Sequence, residues 1–216
     1  MRVGADAATL PIEVSAKIVD YCTLQLLRNA VSWAHTRKLR RSGRHLTEEL
    51  TALWERLGVS AQIIVERSLP LFSEASELVV AEVAPSGREH RLIPATADAW
   101  RHMQRAARED AVALHIVSAF RSIARQAELI ANKLETGQAL SEILAVSAPP
   151  GCSEHHTGRA VDVGTEHSVP LQIEFEQTEA FEWLCRNAER FGFALSFPRG
   201  NRWGYQYEPW HWCHRG

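Results

Sequence analysis

The sequence predicts an α+β domain preceded by a helical N-terminal portion. Two observations carry this. Residues 1–65 show only helical apolar spacing, whereas residues 66–216 alternate short runs rich in β-branched residues with helical segments, divided by Pro/Gly turns. Of the 216 residues, 45% are hydrophobic and 23% charged, enough apolar material for a sizeable core.

From about Leu10 to Thr36, residues Ile12, Ala16, Val19, Leu27, Val31 and Ala34 recur at helical spacing. The basic stretch from Thr36 to His45 has no interleaved aromatics and reads as a solvated helix end and loop, broken at Gly43. Thr47 reads as the N-cap of a short helix with Leu50, Leu53, Trp54 and Leu57 inward and Gly58 as its stop. This N-terminal portion, 1–65, carries no recognisable chemistry.

The remaining unit, 66–216, opens with a β-like run from Leu78 to Val83 and a turn from Ala84 to Glu89. Thr96 is placed to cap a helix running to about Glu109, with Trp100, Met103 and Ala107 inward. In Leu114–Ser122, strand alternation puts His115, Val117, Ala119 and Arg121 on one face and Leu114, Ile116, Ser118 and Phe120 on the other. Ser122 opens a helix with Ile123, Ala127, Ile130 and Leu134 on one face, ending at Gly137. The segment from Ala148 to Gly158 is too rich in Pro and Gly to be regular and leads into a short strand, Arg159–Gly164. Thr178 caps a helix that ends near Gly192, and 193–198 with the aromatic stretch 203–214 supply the last strands.

The net charge of −2 gives no sign of nucleic acid or an anionic membrane as partner. No apolar stretch approaches the ~20 residues of a membrane span. Asp6, Glu13 and Asp20 interrupt any signal-like run, so a cytoplasmic chain is expected unless a longer precursor or another export route exists. Cys22, Cys152, Cys185 and Cys213 are scattered, which favours thiols or small core residues over two disulfides.

Chemistry concentrates in two places. In the strand after Gly158, Val161 and Val163 face one way and Ala160, Asp162 and Gly164 the other, setting the Asp162 carboxylate between two very small residues that leave space beside it. His155 precedes it by seven positions, in a loop able to fold back over the strand end. An imidazole and a carboxylate are two of the three protein ligands of a catalytic zinc site, whose fourth position is left to water. The segment from Glu208 to His214 offers a further histidine. Pro209 keeps Glu208 out of the helical region, so Glu208 and His211 can meet one metal only if the chain bends there. Singly, each residue has a plain structural explanation; jointly they form a pattern.

Ser153, His155, Gly158, Ala160 and Asp162 form S-x-H-x-x-G-x-A-x-D; Glu208, Trp210 and His211 form E-x-W-H; Ser118, Phe120, Arg121, Ser122 and Gln126 supply a third element. Together they resemble the VanY-type D-alanyl-D-alanine carboxypeptidases over about 75–216, in the same order. The resemblance implies a central, mainly antiparallel sheet with flanking helices and a zinc cleft. It implies one zinc ion per chain held by His155, Asp162 and His211, with Glu208 as general base. Arg121 would act as a second catalytic group, binding or polarising the substrate's carbonyl or carboxylate, and with Ser118, Gln126 and Ser153 would bind the substrate, a peptidoglycan stem peptide or muropeptide. His156 is not implied as a ligand. This chain departs from the family at Ser196 and Cys213, where relatives often carry Arg; Cys213 as a fourth, soft ligand would suit only a closed structural site. The implied reaction is release of a terminal D-alanine. Alternatives are an endopeptidase of the L-alanyl-D-glutamate type and, from another class, a zinc-holding recognition domain such as the Hedgehog signalling domain.

Overall fold

The computed structural model describes residues 48–216. The helix expected from Leu10 to Thr36, the basic stretch and the Thr47 cap lie outside the described residues. Helix α1 covers 48–56 and α2 Ala61–Glu66, where the Ser60 hydroxyl accepts the Gln62 N–H. Strands β1 (Val79–Val83) and β2 (Glu89–Leu92) form an antiparallel hairpin. Helix α3 spans Pro94–Glu109. It begins two residues before Thr96, because Pro94 has a fixed φ and no N–H to leave unsatisfied at a first helical position. Thr96 therefore lies inside the first turn, buried, with its hydroxyl 3.3 Å from His214 Nδ1.

Strand β3 (His115–Ser118) is followed by α4 (Ile123–Glu135), which Ser122 caps by accepting the Arg125 N–H, and by α5 (Leu140–Val146). A 3₁₀ turn at Glu154–Thr157 leads into β4 (Ala160–Gly164). Helix α6 (Glu179–Asn187) is capped by Thr178, and β5 (Phe193–Leu195) and β6 (His211–His214) complete the sheet. The four-stranded sheet is antiparallel throughout, in the order β3-β4-β6-β5. No helix among the described residues is long and apolar enough to cross a membrane.

Two cores support this sheet. One packs Val161 and Val163 of β4 with Leu92, Trp100, Met103, Trp183 and Phe193, so the opposite face of β4 carries Asp162. The other joins Leu50, Trp54, Leu57 and Ile64 to Ala127, Ile130, Ile143 and Leu144 of α4 and α5, drawing together residues on both sides of position 65. Trp54 Nε1 donates to the Pro150 carbonyl at 2.8 Å, which ties α1 to the loop ahead of His155. Cys213 is a buried thiol and Cys185 an exposed one.

Candidate metal centre

Strand register assembles the site. Asp162 lies opposite Ser118 on β3 and opposite His211 on β6, so three motifs distant in sequence meet across one row of the sheet. A register shift between Ile116 and Ser118 breaks the alternation expected through Leu114–Ser122. Because the strand stops at Ser118, Arg121 is free of that alternation and turns back to donate from Nη2 to Ser118 Oγ at 2.9 Å. The two residues that alternation put on opposite faces thus touch.

His155, Asp162 and His211 each offer a ligand atom within 4.8 Å of the others, and all three are buried. His155 Nε2 lies 3.2 Å from Asp162 Oδ2, and His211 Nδ1 lies 3.0 Å from Asp162 Oδ1. The opposite ring nitrogens are held by the protein: His155 Nδ1 by the Ala119 carbonyl at 2.7 Å, His211 Nε2 by Glu154 Oε2 at 3.1 Å. Each imidazole is thereby left with one nitrogen facing the shared space, the arrangement a histidine metal ligand needs. Two imidazoles and one carboxylate match the donor set of a three-ligand catalytic zinc site.

The chain does bend where Pro209 demanded it. The His211 N–H donates to the Glu208 carbonyl at 3.1 Å, and Glu208 Oε2 comes to 3.8 Å from His211 Nδ1. Glu208 thus lies beside this candidate donor set. Burial, helped by the charges of Asp162 and Glu154, pushes its carboxyl up to about 7 against the opposing pull of His211 and Arg121. Such an acid takes up and releases protons near neutrality.

Burial alone would push His211 down, but its hydrogen bonds to Asp162 and Glu154 outweigh it and raise the ring to about 10. Burial would raise Asp162, yet its contacts with His155 and His211 hold it far below the ordinary carboxylate range. His155 stays low through burial, offset only in part by Asp162. Burial likewise pushes the Cys213 thiol up to about 12. A thiol so far from ionisation makes a poor ligand.

Arg121 stands at the edge of the cluster. Its Nη1 donates to Gln126 Oε1 at 2.9 Å, and its Nη2 lies 3.9 Å from Asp162 Oδ2. Gln126 is itself fixed, with Nε2 donating to the Ala148 carbonyl at 2.7 Å. The backbone is pinned too: Arg121 N–H donates to the His155 carbonyl at 3.2 Å. Ser153 is buried at the start of the 3₁₀ turn, and its carbonyl accepts the His156 N–H.

A family model for D-alanyl-D-alanine carboxypeptidases, VanY, matches residues 89–216. The chain belongs to that family. The Bacillus subtilis (strain 168) protein YodJ, named as a carboxypeptidase, is 32% identical over 160 residues, 71% of this chain and 58% of that protein. The chain therefore spans a little over half of that relative's length. Among solved structures, the LdcB LD-carboxypeptidase, described with the basis of its peptidoglycan recognition, superposes with a TM-score of 0.60 at 31% identity, covering 66% of this chain and 70% of that one. A variant of the VanY D,D-pentapeptidase in complex with Zn(II) gives a TM-score of 0.51 at 28% identity, covering 65% of this chain and 79% of that one. The expected α+β architecture with an antiparallel sheet is thus the architecture of the VanY family.

Motif reasoning gave no supporting role to several residues of this VanY-family site. His156 is fully buried between the Arg121 carbonyl, 2.6 Å from Nδ1, and the Gly151 N–H, which donates to Nε2 at 3.1 Å. It ties the loop carrying His155 to the segment carrying Arg121, and burial holds its ring at about 4. Glu154 was passed over although it adjoins a ligand. Ser196, first noted only as a departure from the family, reaches Glu154 with its hydroxyl at 2.5 Å, and Arg215 Nη1 reaches Glu154 Oε1 at 3.0 Å. The only sequence signal for this group was the Ser-Glu-His-His run, since Ser196 and Arg215 are 42 and 61 residues away from Glu154.

Proposed function

We propose that this VanY-family chain is a zinc peptidase that hydrolyses a peptide bond of peptidoglycan or its precursors and releases a terminal D-alanine. The observation that carries this is the placement of Glu208, an acid raised to about 7, at 3.8 Å from one member of a buried His-Asp-His donor set. His155 through Nε2, His211 through Nδ1 and Asp162 would hold one zinc ion. Zinc bound there supplies Lewis-acid activation of water and of the scissile carbonyl.

The chain's own residues account for the rest. Glu208 accepts a proton at its carboxylate from the attacking water and delivers it to the departing amine. Arg121 engages substrate oxygens with the N–H groups not committed to Ser118 and Gln126. Gln126 and Ser118 keep that guanidinium beside the metal ligands, and the Ser153 carbonyl steadies the turn that carries His155 by accepting the His156 N–H. The solved relatives are named as LD- and D,D-acting enzymes, which supports a D-amino-acid terminus as the leaving group.

A side-by-side base and guanidinium favour catalysis over recognition, which needs neither. Mass spectrometry of a muropeptide mixture incubated with zinc-loaded protein tests the reading. Loss of one alanine mass is expected; cleavage within the stem would instead establish an endopeptidase, and no cleavage at all a binding domain.

A further inference from the structure

Glu154 is a second carboxylate against the donor set, and the roles given to the ligands and base leave it unused. It is 6% exposed. Its Oε2 accepts from His211 Nε2 at 3.1 Å and from Ser196 Oγ at 2.5 Å. Its Oε1 faces Arg215 Nη1 at 3.0 Å, and Arg215 Nη2 donates to Ser196 Oγ at 3.1 Å, closing a ring of contacts. Arg215 follows β6 directly, and its backbone N–H is fixed on the Gly192 carbonyl at 2.8 Å. Its side chain is half exposed, so the chain of contacts runs from the surface inward to His211.

We propose that Arg215 and Ser196 clamp Glu154 so that it holds the Nε2–H of His211, making Arg215 a positioning residue for the metal centre. A carboxylate oriented on both oxygens accepts the ring N–H in one direction only. This fixes the ring plane and keeps Nδ1 as the nitrogen that faces Asp162 and the space beside His155. The same geometry raises the basicity of the imidazole as a ligand. Without Arg215, Oε1 loses its charged partner and Ser196 its second contact, and Glu154 is freer to turn away from His211. The bland reading is that Arg215 only anchors the end of β6. The Gly192 contact does that through the backbone, whatever the side chain.

The inference rests on the reading that these three residues hold zinc, and the test separates the two. Zinc affinity is measured by competition with a chromophoric chelator on the full chain, alongside thermal unfolding of the metal-free protein. The solvent exchange of the His211 Nε2–H is recorded by NMR. Loss of outer partners of metal-ligating histidines typically weakens binding ~10–100-fold. Glu154→Gln should fall in that range and Arg215→Met at roughly 10-fold, with Arg215→Lys recovering part of the loss, as expected for a retained charge without the fork. In the zinc-loaded protein the His211 Nε2–H should exchange faster with solvent in Arg215→Met than in wild type. Should Arg215→Met not fold, Ser196→Ala is measured in its place, with about 10-fold weaker zinc binding expected, at the low end of outer-partner effects. Wild-type zinc affinity and unchanged His211 N–H exchange in the folded variants would overturn the clamp. A wild-type chain that binds no zinc would instead overturn the metal reading itself.

Discussion

Replacing Arg121 by Lys preserves the charge but removes the fork. In the structure Nη1 is on Gln126 and Nη2 on Ser118, both at 2.9 Å, while Nη2 stays 3.9 Å from Asp162. A single ammonium on a flexible stem cannot meet both holders and still present a donor to the substrate. At least one charge-assisted hydrogen bond is lost, worth about 1.5–3 kcal/mol. At about 1.4 kcal/mol per decade, Arg121→Lys should lower kcat/KM by ~10–100-fold, and Arg121→Ala by more. The assay is steady-state hydrolysis of a D-alanine-terminated peptide at matched zinc content. Gln126→Leu, which frees one arm of the guanidinium, should fall between wild type and Arg121→Lys. A surface ion pair would contribute only ~0–1 kcal/mol and leave kinetics flat. Equal kcat/KM for wild type and Arg121→Ala would therefore refute the catalytic role and return Arg121 to a structural one.

Glu208→Ala should keep its zinc but lose ~10²–10⁴ in kcat, the usual worth of general acid–base help; near-normal turnover would remove Glu208 as the base. His155→Ala and His211→Ala should each lose zinc and activity together, and full metal content by elemental analysis in either variant would sink the ligand set. Because Glu208 is raised to about 7 in the metal-free site and must be ionised to act, kcat/KM should fall on acidification below about 7, with bound zinc moving that limb downward; a flat acid profile would contradict it. His211 is raised to about 10, so its contribution to metal-free stability is complete below about 6.5 and is lost as pH rises through about 10. The Tm of metal-free protein should accordingly drop more between pH 7 and 10 in wild type than in His211→Asn.

The parts of this site that were legible in the sequence are those whose chemistry and spacing lie within a dozen residues. His155 and Asp162 are joined by one turn and one strand, and the bend that lets Glu208 meet His211 is announced by Pro209. The alternation of β4 also held, with Val161 and Val163 in the core and Asp162 opposite. Reasoning from alternation failed at Ser118 and Arg121, because a register shift and a strand end are tertiary events that period-two counting does not register. It also failed beside Gly164. Its lack of a Cβ does not leave open space: a Cβ there would come within 2.6 Å of His115 Nε2 and 2.8 Å of Val117 Cγ2. The glycine makes room for the His115 and Val117 side chains of β3.

Burial explains why the supporting residues were harder to read than the ligands. A buried carboxylate is tolerated only when it is paired, and the partners of Glu154 come from the segment after β5 and from the end of β6, at separations no local motif spans. The same holds for His156, a neutral histidine enclosed by two backbone groups, which motif reasoning could only exclude as a ligand. Its real service is mechanical. By bonding the Arg121 carbonyl on one side and the Gly151 N–H on the other, it holds the segment that presents the guanidinium against the loop that presents His155. Trp54 braces the same loop from α1 through Pro150. The candidate donor set is thus fixed by sheet register on one side and by a buried polar frame on the other, and that frame extends outside the region spanned by the motifs.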